Sequence, residues 1–102
     1  MFPNLLSLIS YHEQQIASRR LSHHLGLEQS IVLYAMAKEE TISNERCPHP
    51  KLINVLEGKL EIILGDQKHI LEKDSLISLS PQEIHHLRAI ENSKFLQTRV
   101  VK

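Results

Sequence analysis

Apolar and polar residues alternate through most of the chain after residue 15. A period of two places neighbouring side chains on opposite faces of a strand, so that one face can be buried. Turn-forming residues interrupt these segments about every ten residues, a spacing typical of all-β sandwiches and barrels. The predicted strands span 16–21, 30–37, 52–56, 59–64, 68–71, 76–79, 85–90 and 95–101, with a loop or a broken edge strand over 39–50.

The first residues follow a different pattern. Residues 3–10 are apolar without alternation, and Pro3 stands where a first helical turn tolerates proline. This pattern predicts a short N-terminal helix within an arm of residues 1–14, followed by a barrel over 15–102. The 102 residues are enough for one domain with one core.

Charge and composition narrow the possible partners. Lys plus Arg and Asp plus Glu each total 12, and only two Tyr and two Phe provide rings, so a nucleic-acid partner is not expected. Zero net charge and a large surface fraction favour a homodimer. Cys47 is the only cysteine, which fits a reducing compartment. No basic leader or run of roughly 18 apolar residues is present, so we expect a cytoplasmic protein and no membrane partner.

Two motifs stand out in the second half of the chain. The first ends at Gly58, and the second contains Pro81 and the pair His85-His86. Their order and spacing resemble the two motifs of the cupin family, in its small single-domain, RmlC-like group, over residues 43–101. The resemblance implies an all-β fold, the cupin double-stranded β-helix or jelly-roll barrel, that often holds a metal ion and forms homodimers.

The resemblance also assigns candidate metal ligands. The family site uses three histidines and one glutamate. Its first two histidines fall on Glu45 and Cys47, its glutamate on Lys51 and its last histidine on His86. Glu45 and Cys47 have i, i+2 spacing, so in an extended segment they and His86 would offer O, S and N ligands to one divalent transition metal, Zn, Fe or Ni. His49 lies two residues further on and could replace any of them.

Strand geometry allows only one histidine of the adjacent pair to face the barrel interior. The motif alignment selects His86 rather than His85. The same parity then sends Arg88 inward and places Leu87 and Ala89 on the opposite face.

A cation at the glutamate position points to a different ligand. Lys51 would repel a divalent ion unless its ammonium turned away or lost its proton, whereas Lys51 and Arg88 together would suit an anion. With Tyr34, these residues form the predicted ligand-binding set. Three functions remain open: a metal-assisted enzyme on a small polar metabolite with His86 and Glu45 as first ligands, a metal-free small-molecule binding or sensing module, and a dimeric structural unit.

Overall fold

The structure, a computed structural model, describes residues 1–45 and 48–100, and only the backbone of 44 and 45. Within these ranges the chain forms nine strands and a single α-helical turn. The elements are β1 (Ile16–Arg20), α1 (Ser22–Leu25), β2 (Ser30–Met36), β3 (Thr41–Glu45), β4 (Lys51–Glu57), β5 (Lys59–Leu64), β6 (Gln67–Glu72), β7 (Leu76–Leu79), β8 (His85–Ala89) and β9 (Ser93–Arg99).

The strands form two antiparallel sheets. One has five strands in the order β1-β2-β9-β4-β7, and the other has four in the order β3-β8-β5-β6. Alternation places one set of apolar residues on the faces where the two sheets meet, as in a β-sandwich. The residues of this inner core with no exposed surface include Met36, Ile53, Val55, Leu60, Ile62, Ala89 and Phe95.

Strand β9 lies at the centre of the five-stranded sheet. It pairs with β2 on one side and β4 on the other, so that Phe95 stands opposite both Tyr34 and Val55. β9 begins at Ser93, two residues before the predicted start, and the predicted end at residue 101 lies outside the described residues. The predicted all-β fold is confirmed.

The predicted N-terminal helix is wrong, since Leu5–Leu8 form only a single 3-10 turn. The Asn4 side chain accepts a hydrogen bond from the Leu6 amide at 3.1 Å, which begins the turn. Four residues cannot offset the entropy of helix nucleation, so packing decides the conformation of this segment. In the part of the chain that the structure describes, no helix has the length and apolar character needed to cross a membrane.

The N-terminal arm packs on the outer face of the five-stranded sheet. Ile9 of the arm joins a second apolar cluster with Leu33 and Ala35 of β2. Side-chain hydrogen bonds fix the arm to the sheet. Lys94 Nζ donates to the Leu6 carbonyl at 2.7 Å, Arg19 Nη1 donates to the Leu8 carbonyl at 3.1 Å, and the Tyr11 hydroxyl donates to Glu57 Oε2 at 2.6 Å. Burial and the neighbouring carboxylate raise the pKa of Tyr11, so its hydroxyl stays protonated and remains a donor. Apolar burial therefore covers both faces of this sheet.

Candidate functional site

His85, not His86, faces the interior between the sheets. His85 is 2% exposed. Leu87 and Ala89, two and four residues further along β8, are 1% and 0% exposed and belong to the inner core. The predicted inward orientation of His86 is therefore wrong. Leu87 and Ala89 must be buried between the sheets. Side chains alternate along β8, so His85 shares their inner face and His86 points to the opposite face, contrary to the motif alignment.

Arg88 lies on the outer face of the four-stranded sheet. Its Nη2 donates to Glu61 Oε2 at 3.0 Å, and its Nη1 donates to Glu39 Oε2 at 3.1 Å. The predicted inward orientation of Arg88 is wrong for the same reason of parity. The guanidinium covers the Glu61 side chain, which is 9% exposed, and its hydrogen bond is the main cause that lowers the pKa of Glu61.

This outer ion pair predicts an acid-dependent loss of stability. Because folding lowers the pKa of Glu61 from its ordinary 4.5, its contribution is complete above that value and disappears as the pH falls through the folded-state pKa. We expect Glu61→Gln to lower the free energy of unfolding at pH 7, and the gap to the wild type to shrink below about pH 4.5. Urea denaturation followed by circular dichroism across this range measures the gap.

Glu72→Gln is the matched control, since the Glu72 side chain is two-thirds exposed and its Oε1 lies 3.4 Å from Lys59 Nζ. Surface pairs of this kind contribute little, so this variant should follow the wild-type curve. A Glu61→Gln gap that stays constant down to pH 3 would contradict the role given to the Arg88 contact.

Two cations stand side by side on the inner face of the five-stranded sheet. Lys51 is 6% exposed and lies two residues before Ile53 of the inner core, so both share a face. The register places Arg99 directly opposite Lys51. Arg99 also shares its face with Phe95, four residues earlier on β9. Directly paired side chains lie roughly 5 Å apart at Cβ, so the two cationic side chains start next to each other on this face.

Arg99 was not among the residues predicted from the sequence. Its Nε is buried and has no hydrogen-bond partner within residues 1–45 and 48–100. A buried N–H donor without an acceptor is destabilising, so an oxygen placed beside it would be favourable. The sequence did contain a signal: alternation from the apolar Phe95 through Gln97 leads to Arg99 on the same face.

Aromatic rings border this polar end. Tyr34 stacks on Phe95 with ring centroids 4.9 Å apart and an interplanar angle of 12°. Phe95 is completely buried, whereas Tyr34 is half-buried and packs against the inner core. Gln97 and Arg99 also keep partial exposure although they share the inner face with Phe95. Along β9 the inner-face side chains therefore change from completely buried at Phe95 to partly exposed at Gln97 and Arg99, whereas Lys51 opposite Arg99 stays buried.

Comparison with known proteins gives the fold. No protein-family model matches the chain, and no curated protein matches it. Solved structures do match, among them a cupin superfamily protein from Desulfitobacterium hafniense with 26% identity and a TM-score of 0.86, covering 99% of this chain and 90% of that one. The chain has a cupin fold.

Two further structures extend this cupin comparison. A conserved protein of unknown function from Streptococcus pyogenes has 19% identity and a TM-score of 0.89, and covers 100% of this chain and 88% of its own. An RmlC-like cupin from Desulfovibrio desulfuricans has 20% identity and a TM-score of 0.81, covering 98% and 95%. The match to these structures spans nearly the whole chain, and the predicted family resemblance is confirmed.

The metal site that the cupin family implies can be tested against the described residues. Among these, no three His, Cys, Asp or Glu side chains lie close enough to hold an ion. His49 is half-buried between Pro48 and Pro50. Cys47 and the side chain of Glu45 lie outside the described residues, although the backbone of Glu45 pairs with His85.

The described interior does not by itself fit a divalent metal. It offers one buried imidazole, that of His85, whose Nδ1 lies 3.4 Å from the Glu83 carbonyl oxygen. On the inner face of the opposite sheet it carries two cations, Lys51 and Arg99. Positive charge repels a metal ion and attracts an anion. The charges of Lys51 and Arg99 therefore favour an anion over a metal ion as the ligand.

Proposed function

We propose that this cupin is a binding module that takes a small organic anion into the barrel interior without a resident metal. The observation that carries the proposal is the buried Nε of Arg99, which has no partner among the described residues and lies in the row that also holds Lys51. A carboxylate oxygen would accept from this donor in a charge-assisted hydrogen bond. Lys51 adds a second positive charge on the same face.

The polarity of the interior supports this assignment. His85 approaches from the four-stranded sheet and can donate or accept a hydrogen bond, depending on its tautomer. Tyr34 and Arg99 are the partly exposed residues through which a ligand would reach the inner face. Arg88 takes no part, since Glu61 and Glu39 already hold it on the outer surface.

Ligand-induced stabilisation tests the proposal. We expect acetate and succinate to raise the melting temperature of the protein in proportion to the logarithm of their concentration, whereas the neutral analogue acetamide does not. Arg99→Gln should weaken acetate binding by about tenfold or more in calorimetric titration, because it removes a charge-assisted hydrogen bond. Treatment with EDTA should leave the binding unchanged.

Arg88→Gln is the matched control, because it removes the same charge from the outer face of the barrel. Equal losses of acetate affinity in Arg88→Gln and Arg99→Gln would contradict an interior site.

A metal-assisted enzyme is the second candidate, favoured by the register that pairs Glu45 with His85. Stoichiometric zinc, iron or nickel in protein purified without chelators, lost in His85→Ala but kept in His86→Ala, would replace the anion proposal with this one.

A further inference from the structure

The inner face of the five-stranded sheet changes character along β9. At one level Phe95 stands opposite Tyr34 and Val55, and this row is aromatic and aliphatic. Two residues further, Gln97 stands opposite Val32 and Ile53. At the third level Arg99 stands opposite Lys51. An apolar row, a mixed row and a cationic row therefore follow one another along β9.

The dimensions of this gradient limit the size of a ligand. Strands rise about 3.3 Å per residue, so the Tyr34–Phe95 row and the Arg99–Lys51 row are about 13 Å apart along the backbone. The side chains of Arg99 and Lys51 are long enough to extend over part of that distance. A ligand that contacts both rows therefore needs a body about the size of one ring next to its anionic group.

The apolar row is accessible at only one of its rings. Phe95 has no exposed surface, whereas Tyr34, stacked on it, is half-buried. A stacked pair with one accessible ring offers a flat apolar surface, and flat rings pack on such a surface by offset stacking or edge contact. A polar ligand such as phosphate would make no use of this surface.

We propose that the ligand of the interior site is a monocarboxylate with an aromatic or similarly compact apolar body. Its carboxylate lies at Arg99 and Lys51, and its body lies against Tyr34. This inference rests on the proposed anion-binding function and adds the chemical class of the anion. It assigns the specificity to Tyr34 and the charge recognition to Arg99.

A ligand series on the wild-type protein tests the inference by calorimetric titration. The probes are acetate, phenylacetate, benzyl alcohol and inorganic phosphate. Each buried methylene-sized group strengthens binding about fourfold, so phenylacetate should bind more than about tenfold tighter than acetate. Benzyl alcohol, which has the ring without the charge, should bind at least about tenfold more weakly than phenylacetate.

Two further measurements locate the body of the ligand. Tyr34→Leu should reduce the advantage of phenylacetate over acetate to about threefold or less, while acetate affinity stays unchanged. Tyr11→Leu is the matched control, since Tyr11 belongs to the N-terminal arm on the outer face. If Tyr34→Leu does not fold, nuclear Overhauser contacts between phenylacetate and the Tyr34 ring in the wild-type protein decide the point.

The outcomes separate this inference from the function on which it rests. Equal affinities for acetate and phenylacetate, both lost in Arg99→Gln, would overturn the apolar body but leave anion binding in place. Phosphate that binds more tightly than phenylacetate would likewise overturn the apolar body and leave anion binding in place. Benzyl alcohol that binds as tightly as phenylacetate would overturn the carboxylate contact. Binding by none of the four probes would overturn both the inference and the proposed function.

Discussion

Gly58→Ala should lower the free energy of unfolding by roughly 3 kcal/mol or more, one of the two largest effects expected for a single substitution in this chain. Two independent causes contribute. Gly58 has φ +87°, a conformation that side-chain-bearing residues rarely adopt. A Cβ at this position would also clash with the Asn92 carbonyl oxygen, and would lie 2.6 Å from Ser93 Oγ and 2.8 Å from Ser93 Cα.

The surrounding hydrogen bonds explain why the clash cannot be relieved cheaply. Ser93 is completely buried, and its hydroxyl accepts from the Lys59 amide and is within hydrogen-bond distance of the Lys59 carbonyl, both at 3.0 Å. Moving Ser93 away from a new methyl group would break these bonds between β9 and the start of β5. A buried hydroxyl that loses its partners is itself destabilising. Relaxation therefore replaces one unfavourable contact with another.

Gly65→Ala is the matched control for this prediction. Gly65 has φ +60° in the turn between β5 and β6, but a Cβ there meets nothing within 4 Å. The Gly65→Ala variant therefore measures the backbone strain alone, which is about 1 kcal/mol, without a steric clash. Urea denaturation followed by circular dichroism measures both variants. Equal losses at the two glycines would show that close approach at Ser93 is unimportant.

The sequence was sufficient for the strands that turn residues bound on both sides. The predicted spans 59–64 and 76–79 coincide with β5 and β7, because turn residues bound both segments. Segment 41–45 was assigned to a loop or broken edge strand because prolines follow closely. It forms β3, an edge strand whose register with β8 shifts between Ile42 and Glu45. Local composition could not show that β8 would pair with it.

The candidate site was harder to predict than the fold. Lys51 was correctly expected to fall on the inner face, since Ile53 and Val55 fix the parity of β4. His86 and Arg88 were misplaced because a motif alignment specifies positions only to within one residue, and one residue reverses the face. Packing resolves the ambiguity, since Leu87 must be buried between the sheets. For adjacent polar residues on a strand, the nearest apolar residue is thus a better guide than a motif.

Phe95→Ala should lower the free energy of unfolding by about 3–5 kcal/mol, because removal of a buried ring leaves a cavity that the sheets cannot close. Phe95 has no exposed surface, lies on the central strand of its sheet and stacks on Tyr34 at 4.9 Å. For a domain whose total stability is about 5–15 kcal/mol, this loss is a large fraction. Urea denaturation followed by circular dichroism measures it.

Two further variants serve as controls, one for the buried volume at Phe95 and one for the loss of a phenylalanine elsewhere in the chain. Phe95→Leu retains most of the buried volume, so its loss should stay near 1 kcal/mol. Phe2→Ala removes the only other phenylalanine, which is half-buried against the second apolar cluster, and its smaller burial predicts a smaller loss. If Phe2→Ala were as destabilising as Phe95→Ala, the arm would contribute as much stability as the inner core.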